Sequence, residues 1–98
     1  MSGTQTPVLF RMDEGGVTAV FPCLPADHFG NDMTCYAHVG QHGACSVGWY
    51  QTTKAATPDQ YAALKAELEA APYHYQLRVV HRISQAMHIQ RRKEAAAG

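Results

Sequence analysis

The sequence predicts an α+β fold: an antiparallel sheet of about five strands in the order β-β-β-β-α-β, one main helix packed on one face, and a short C-terminal helix or tail. Three observations carry this. Short β-branched and aromatic runs are separated by glycine-containing reversals; one segment has a complete helix-start signature; and an alternating run follows that helix. With 98 residues, 46% of them hydrophobic and 16% charged, the chain is expected to be one domain over residues 1–98 with a single core. Residues 1–6 are expected to be flexible, and residues 84–98 to form a short helix or a frayed basic tail.

Val8 to Met12, the turn residues Asp13 to Gly16, and Val17 to Phe21 read as a first β-hairpin. Pro22 and Pro25 should end its second strand, because proline has no N–H for a ladder. Residues 22–33, rich in Pro, Asp, Asn and Gly, then form the longest loop. Thr34 to Val39 and Ala44 to Thr53 read as a second hairpin closed by the four residues Gly40 to Gly43. Thr57, Pro58, Asp59 and Gln60 match a capping box with proline at the first helical position. Tyr61, Leu64, Leu68 and Ala71 form the apolar stripe behind it, and Pro72 stops the helix. Tyr75 to Ile83 alternates as a half-exposed strand. Ser84 could cap a last helix, with Met87 as its anchor and Arg91, Arg92 and Lys93 along it.

Composition excludes several classes. No apolar run reaches the roughly 18 residues that cross a bilayer, and Met1 to Pro7 lacks the basic and apolar regions of a secretion signal. A soluble cytoplasmic protein is the expectation, without a membrane partner. Three cysteines, Cys23, Cys35 and Cys45, are an odd number for a disulfide scaffold and suit buried thiols or metal ligands. The formal net charge is zero but uneven. Residues 1–73 hold three basic and seven acidic side chains, residues 74–98 five basic and one acidic. This polarity can favour an acidic partner or self-association, but a solvated tail is the better-supported reading.

Three constellations could carry function. Cys35, His38, His42 and Cys45 are zinc-ligand types within eleven residues. On the expected hairpin, however, His38 lies opposite Cys45 while Cys35 faces the other way, so at most three of the four could meet. No cofactor is therefore expected, with zinc as the alternative. The same hairpin sets Cys45 beside His38, which would suit a thiolate nucleophile, but no orienting acid or oxyanion donor accompanies them. His28 and Asp32 are polar residues of the long loop and suit turn chemistry as well as a ligand. Tyr36, Val47, Trp49 and Tyr50 lie on a stretch with no lysine or arginine between Asp32 and Lys54, and are the candidate contact surface for a protein partner or a second copy. Arg91, Arg92 and Lys93 are the weaker candidates for nucleic acid, since the chain lacks an overall basic excess.

The segments Val8 to Arg11, Val17 to Pro22, Tyr36 to Gly43, Ala56 to Tyr61, Leu64 to Glu69 and Leu77 to Val80 together resemble a family of small bacterial and phage-associated proteins marked by a His-Val-Gly-Gln-His-Gly stretch. The resemblance implies an accessory role, such as one in mobile elements, and no activity or catalytic residue. With no complete catalytic set, the sequence points to a small non-enzymatic interaction module. A cysteine- or metal-based site on residues 34–53 and nucleic-acid binding through the basic C-terminal segment are the alternatives.

Overall fold

The structure is a computed structural model that describes residues 5–37 and 42–97. Of residues 1–6, expected to be flexible, residues 1–4 lie outside the described residues, as does His38, while Thr6 belongs to the first strand and pairs with Leu77. Its elements are β1 (Thr6–Asp13), β2 (Gly16–Pro25), β3 (Met33–Ala37), β4 (His42–Cys45), α1 (Val47–Gln51), β5 (Lys54–Ala55), α2 (Pro58–Glu69), β6 (Leu77–Val79) and α3 (Gln85–Ala97). The class is α+β, with the sheet ordered β4-β3-β2-β1-β5 and β6 also paired to β1.

The first hairpin forms where the turn chemistry places it. Asp13 pairs with Gly16, the Asp13 carboxylate accepts the Gly15 N–H at 2.8 Å, and Gly16 takes φ +112°, open to glycine for want of a Cβ. Proline does not end β2: the backbone stays extended to Pro25, and the cost appears as a register shift against β3 between Phe21 and Pro25. The long loop therefore shrinks to residues 26–32. There the Asp27 carboxylate accepts from the Asn31 and Asp32 N–H groups at 2.8 and 3.2 Å, an Asx-type closure.

Two strand expectations are corrected. The fourth strand ends at Cys45 rather than Thr53, because the Ser46 hydroxyl accepts the Trp49 N–H at 3.0 Å and caps α1. The strand after α2 is three residues long and runs parallel to β1, pairing Leu77 with Thr6 and Val79 with Val8. It is short because the same side of β1 is shared: β5 takes Arg11 and Met12.

The sheet is covered on both faces, not one. On the first, Val8, Phe10, Ala19, Phe21, Tyr36 and Leu77 pack against Leu64 and Leu68 of α2. On the second, Leu9, Val20, Met33 and Cys45 meet Val47, Trp49 and Tyr50 of α1 together with Val80 and Ile83. α3 begins with the Ser84 hydroxyl accepting the Met87 N–H at 3.2 Å and packs along β2. Its Arg91 is 1% exposed. Arg91 donates through Nε to the Gly30 carbonyl at 2.7 Å and through a terminal nitrogen to the Pro22 carbonyl at 2.9 Å. Gly30, at φ +73°, allows this approach: a Cβ there would lie 2.9 Å from the Arg92 Cα. No helix among the described residues is long and apolar enough to cross a membrane.

The capping box of α2 is complete. The Thr57 hydroxyl accepts the Gln60 N–H at 3.3 Å, and the Gln60 side-chain oxygen accepts the Thr57 N–H at 2.8 Å. Thr57→Ala should therefore lower stability by about 1 kcal/mol. A urea-denaturation midpoint unchanged from wild type would contradict that role.

Candidate functional site

The β3–β4 ladder pairs Tyr36 with His42, Cys35 with Gly43 and Met33 with Cys45. This differs from the expected hairpin, in which Gly43 belonged to the loop and Cys45 stood across from His38. Because side chains alternate, the register decides which groups meet. It puts Cys35 and Cys45 on the same face as diagonal neighbours and sends His42 to the other.

The two thiols are unequal. Cys35 is half-buried, and Cys45 is buried. Cys35 lines a shallow open pocket of about 400 Å³ with Cys45, Thr18, Ala37, Ser46 and Trp49. Donation from the Cys45 thiol holds the Cys35 pKa down at about 7, helped by the Gly43 backbone and opposed by burial. Cys45 moves strongly upward, through that same hydrogen bond and then through burial. Of the two, Cys35 is therefore the thiol that ionises first. Cys23, half-buried on β2, lines a different pocket with Arg78, Gln90 and Glu94, and burial raises its pKa.

On the opposite face His42 joins an aromatic cluster. Its ring centroid is 5.1 Å from that of Tyr36 and 5.2 Å from that of Tyr73, and its Nε2 is 3.0 Å from the Tyr75 hydroxyl. The Tyr36 hydroxyl donates to the Glu67 carboxylate. That bond first, and burial second, raise the Tyr36 pKa. Tyr36 is 1% exposed, so it is a core residue and not a contact residue as expected. The aromatic cluster joins residues more than thirty positions apart, and no local spacing signals it.

The same register parts the described members of the zinc alternative. His42 lies across the sheet from Cys35 and Cys45, and among the described residues no three His, Cys, Asp or Glu side chains gather as a metal site. Val47, Trp49 and Tyr50 are half-buried in the second core cluster. Arg11 crosses the Tyr50 ring at 4.5 Å and donates to Thr53. Of the basic set, Arg92 and Lys93 are exposed. Arg91 is withdrawn from phosphate reach by its carbonyl partners, and its third contact is His88 Nδ1 at 2.9 Å. Burial, then Arg91 and Arg92, lower the His88 pKa, which favours the neutral ring that accepts this bond. His28 is exposed, and Asp32 belongs to the closure of its loop.

What this arrangement can do chemically is nucleophilic attack by one thiolate with a second thiol in the same pocket. The Cys35 alkylation rate with iodoacetamide, followed residue by residue by mass spectrometry, should reach half its plateau near pH 7, since the thiolate fraction rises through the pKa. Cys23 and Cys45 should still be gaining rate above pH 9. A Cys35 profile that rises only with theirs would contradict the assigned order of ionisation. No protein-family model, curated protein or solved structure matches this chain.

Proposed function

We propose that the chain is a small protein-interaction module whose contact face is β4 with the adjoining α1, and that its partner is a second copy of the same chain. The observation that supports this reading is the unequal finish of the two sheet edges. The far side of β1 is occupied by β5 and β6. Among the described residues nothing pairs with the outer side of β4, whose His42, Gly43 and Ala44 are exposed.

An edge strand offers a row of unpaired N–H and C=O groups, and proteins usually guard such an edge with lysine, proline or a bulge. β4 contains none of the guarding residues, and the half-buried Trp49 lines the pocket beside Ala44 and Cys45. Two β4 strands related by a two-fold axis would extend the sheet and bring the same surface of each copy together. The zero formal net charge of the chain leaves no net repulsion between copies. Four residues of edge make a small interface, so the association is expected to be weak and concentration-dependent. Arg92 and Lys93 are left as a thin basis for phosphate contact, since Arg91 is engaged internally.

Light scattering at increasing concentration should give a mass rising from 10.7 kDa toward twice that value. Ala44→Lys should remain monomeric at every concentration with an unchanged circular dichroism spectrum. A wild-type protein that stays monomeric at millimolar concentration would overturn the proposal.

A further inference from the structure

We infer that Cys35 and Cys45 form an oxidant-sensitive dithiol, in which a peroxide oxidises Cys35 and Cys45 then closes a disulfide between β3 and β4. This does not depend on the pairing of chains through β4. The geometry rests on three features. The two thiols lie on one face as diagonal neighbours of the β3–β4 ladder and line one pocket. They differ in exposure: Cys35 is half-buried, while Cys45 is 8% exposed. β4 pairs with β3 and with no other strand among the described residues, so one ladder alone has to adjust.

The steps balance. The Cys35 thiolate attacks one peroxide oxygen, the O–O bond breaks, and the sulfur becomes a sulfenic acid as the other oxygen leaves as hydroxide. The Cys45 thiol then attacks the Cys35 sulfur. The S–O bond breaks, the S–S bond forms, and the departing hydroxyl leaves as water with the Cys45 proton. Across the sequence the peroxide is reduced by two electrons and the two thiols are oxidised by two. The depressed pKa of Cys35 supplies the attacking thiolate near neutral pH, and the protonated neighbour supplies the resolving group.

Diagonal neighbours on a sheet face lie roughly 7–8 Å apart, and a disulfide prefers Cα atoms about 5.5–6 Å apart. Closure therefore draws β4 toward Cys35 by about 1–2 Å. Trp49, the one tryptophan of the chain, sits in the same pocket and should report the change. Cys23, in its separate pocket, is an internal comparison.

The test treats the reduced full-length chain with equimolar hydrogen peroxide and follows it by non-reducing peptide mass mapping, free-thiol titration and Trp49 fluorescence. Two of the three thiols should disappear, with a Cys35–Cys45 link inside one chain and loss of two hydrogens. Trp49 emission should fall and recover with dithiothreitol. Cys23→Ser should behave as wild type. Cys45→Ser, which keeps a hydroxyl donor beside Cys35, should stop at a sulfenic acid on Cys35 that dimedone traps. Should that variant not fold, Cys35→Ser serves instead, and its Cys45 should be inert to the same dose. Parallel loss of all three thiols, a disulfide that includes Cys23, or a Cys45 that reacts without Cys35 would each overturn the inference. The monomer mass is read separately, so a monomeric protein that still forms the link would count against the pairing proposal alone.

Discussion

The two central strands have to be dry on both sides, and the rest of the protein is arranged around that requirement. Val8, Leu9 and Phe10 are consecutive and buried, as are Ala19, Val20, Phe21 and Pro22. Alternation sends neighbours to opposite faces, so consecutive burial demands cover above and below. One face takes α2, whose Leu64 and Leu68 each gain about 1.5–3 kcal/mol from full burial. The other takes α1, Val80, Ile83 and the chain leading into α3. α3 contributes little apolar surface of its own and is held by Arg91. That guanidinium is costly to bury, yet it meets the Gly30 and Pro22 carbonyls and His88. Among the described residues no buried side-chain nitrogen or oxygen lacks a partner, as a buried polar group requires.

The chemistry of the site depends on the register of the β3–β4 ladder more than on which residues the hairpin contains. Pairing Tyr36 with His42 separates imidazole from thiols by the thickness of the sheet and builds two unlike surfaces. One is a satisfied aromatic cluster, in which Glu67 and Tyr75 engage the polar atoms of Tyr36 and His42. The other is a pair of free thiols, Cys35 half-buried and Cys45 buried. A different register would exchange these neighbours without altering the composition of the hairpin. The outer side of β4, which no strand pairs among the described residues, and the thiol pair belong to the same end of the sheet.

Local chemistry was legible in the sequence wherever it acts over a few residues. The first hairpin follows from Asp13 to Gly16, and the start of α2 from Thr57 to Gln60. The α+β class follows from the order of these segments. What remained hidden depends on distant partners. Ser46 could be read inside a strand because its cap only matters once α1 packs on Leu9 and Val20. Tyr75 to Ile83 alternates well, yet the side of β1 it could pair with is shared with two residues of β5. Arg91 looks like part of a solvated basic run with Arg92 and Lys93. Its burial is set by carbonyls 61 and 69 positions away. The cysteine pair was visible as residue types, while its meeting depended on where the hairpin closes.

The most direct test of two-sided cover is native-state hydrogen exchange resolved by residue, comparing wild type with Arg91→Leu. Arg91→Leu strands two carbonyls at about 1–3 kcal/mol each while keeping an apolar side chain at the position. The account predicts that amides of α3 and the 80–83 segment are protected in the wild type. They should lose protection in the variant by at least tenfold more than those of α2, which covers the other face. Exchange of wild-type α3 at the rate of an unstructured chain, or equal loss of protection in α2 and α3, would contradict it.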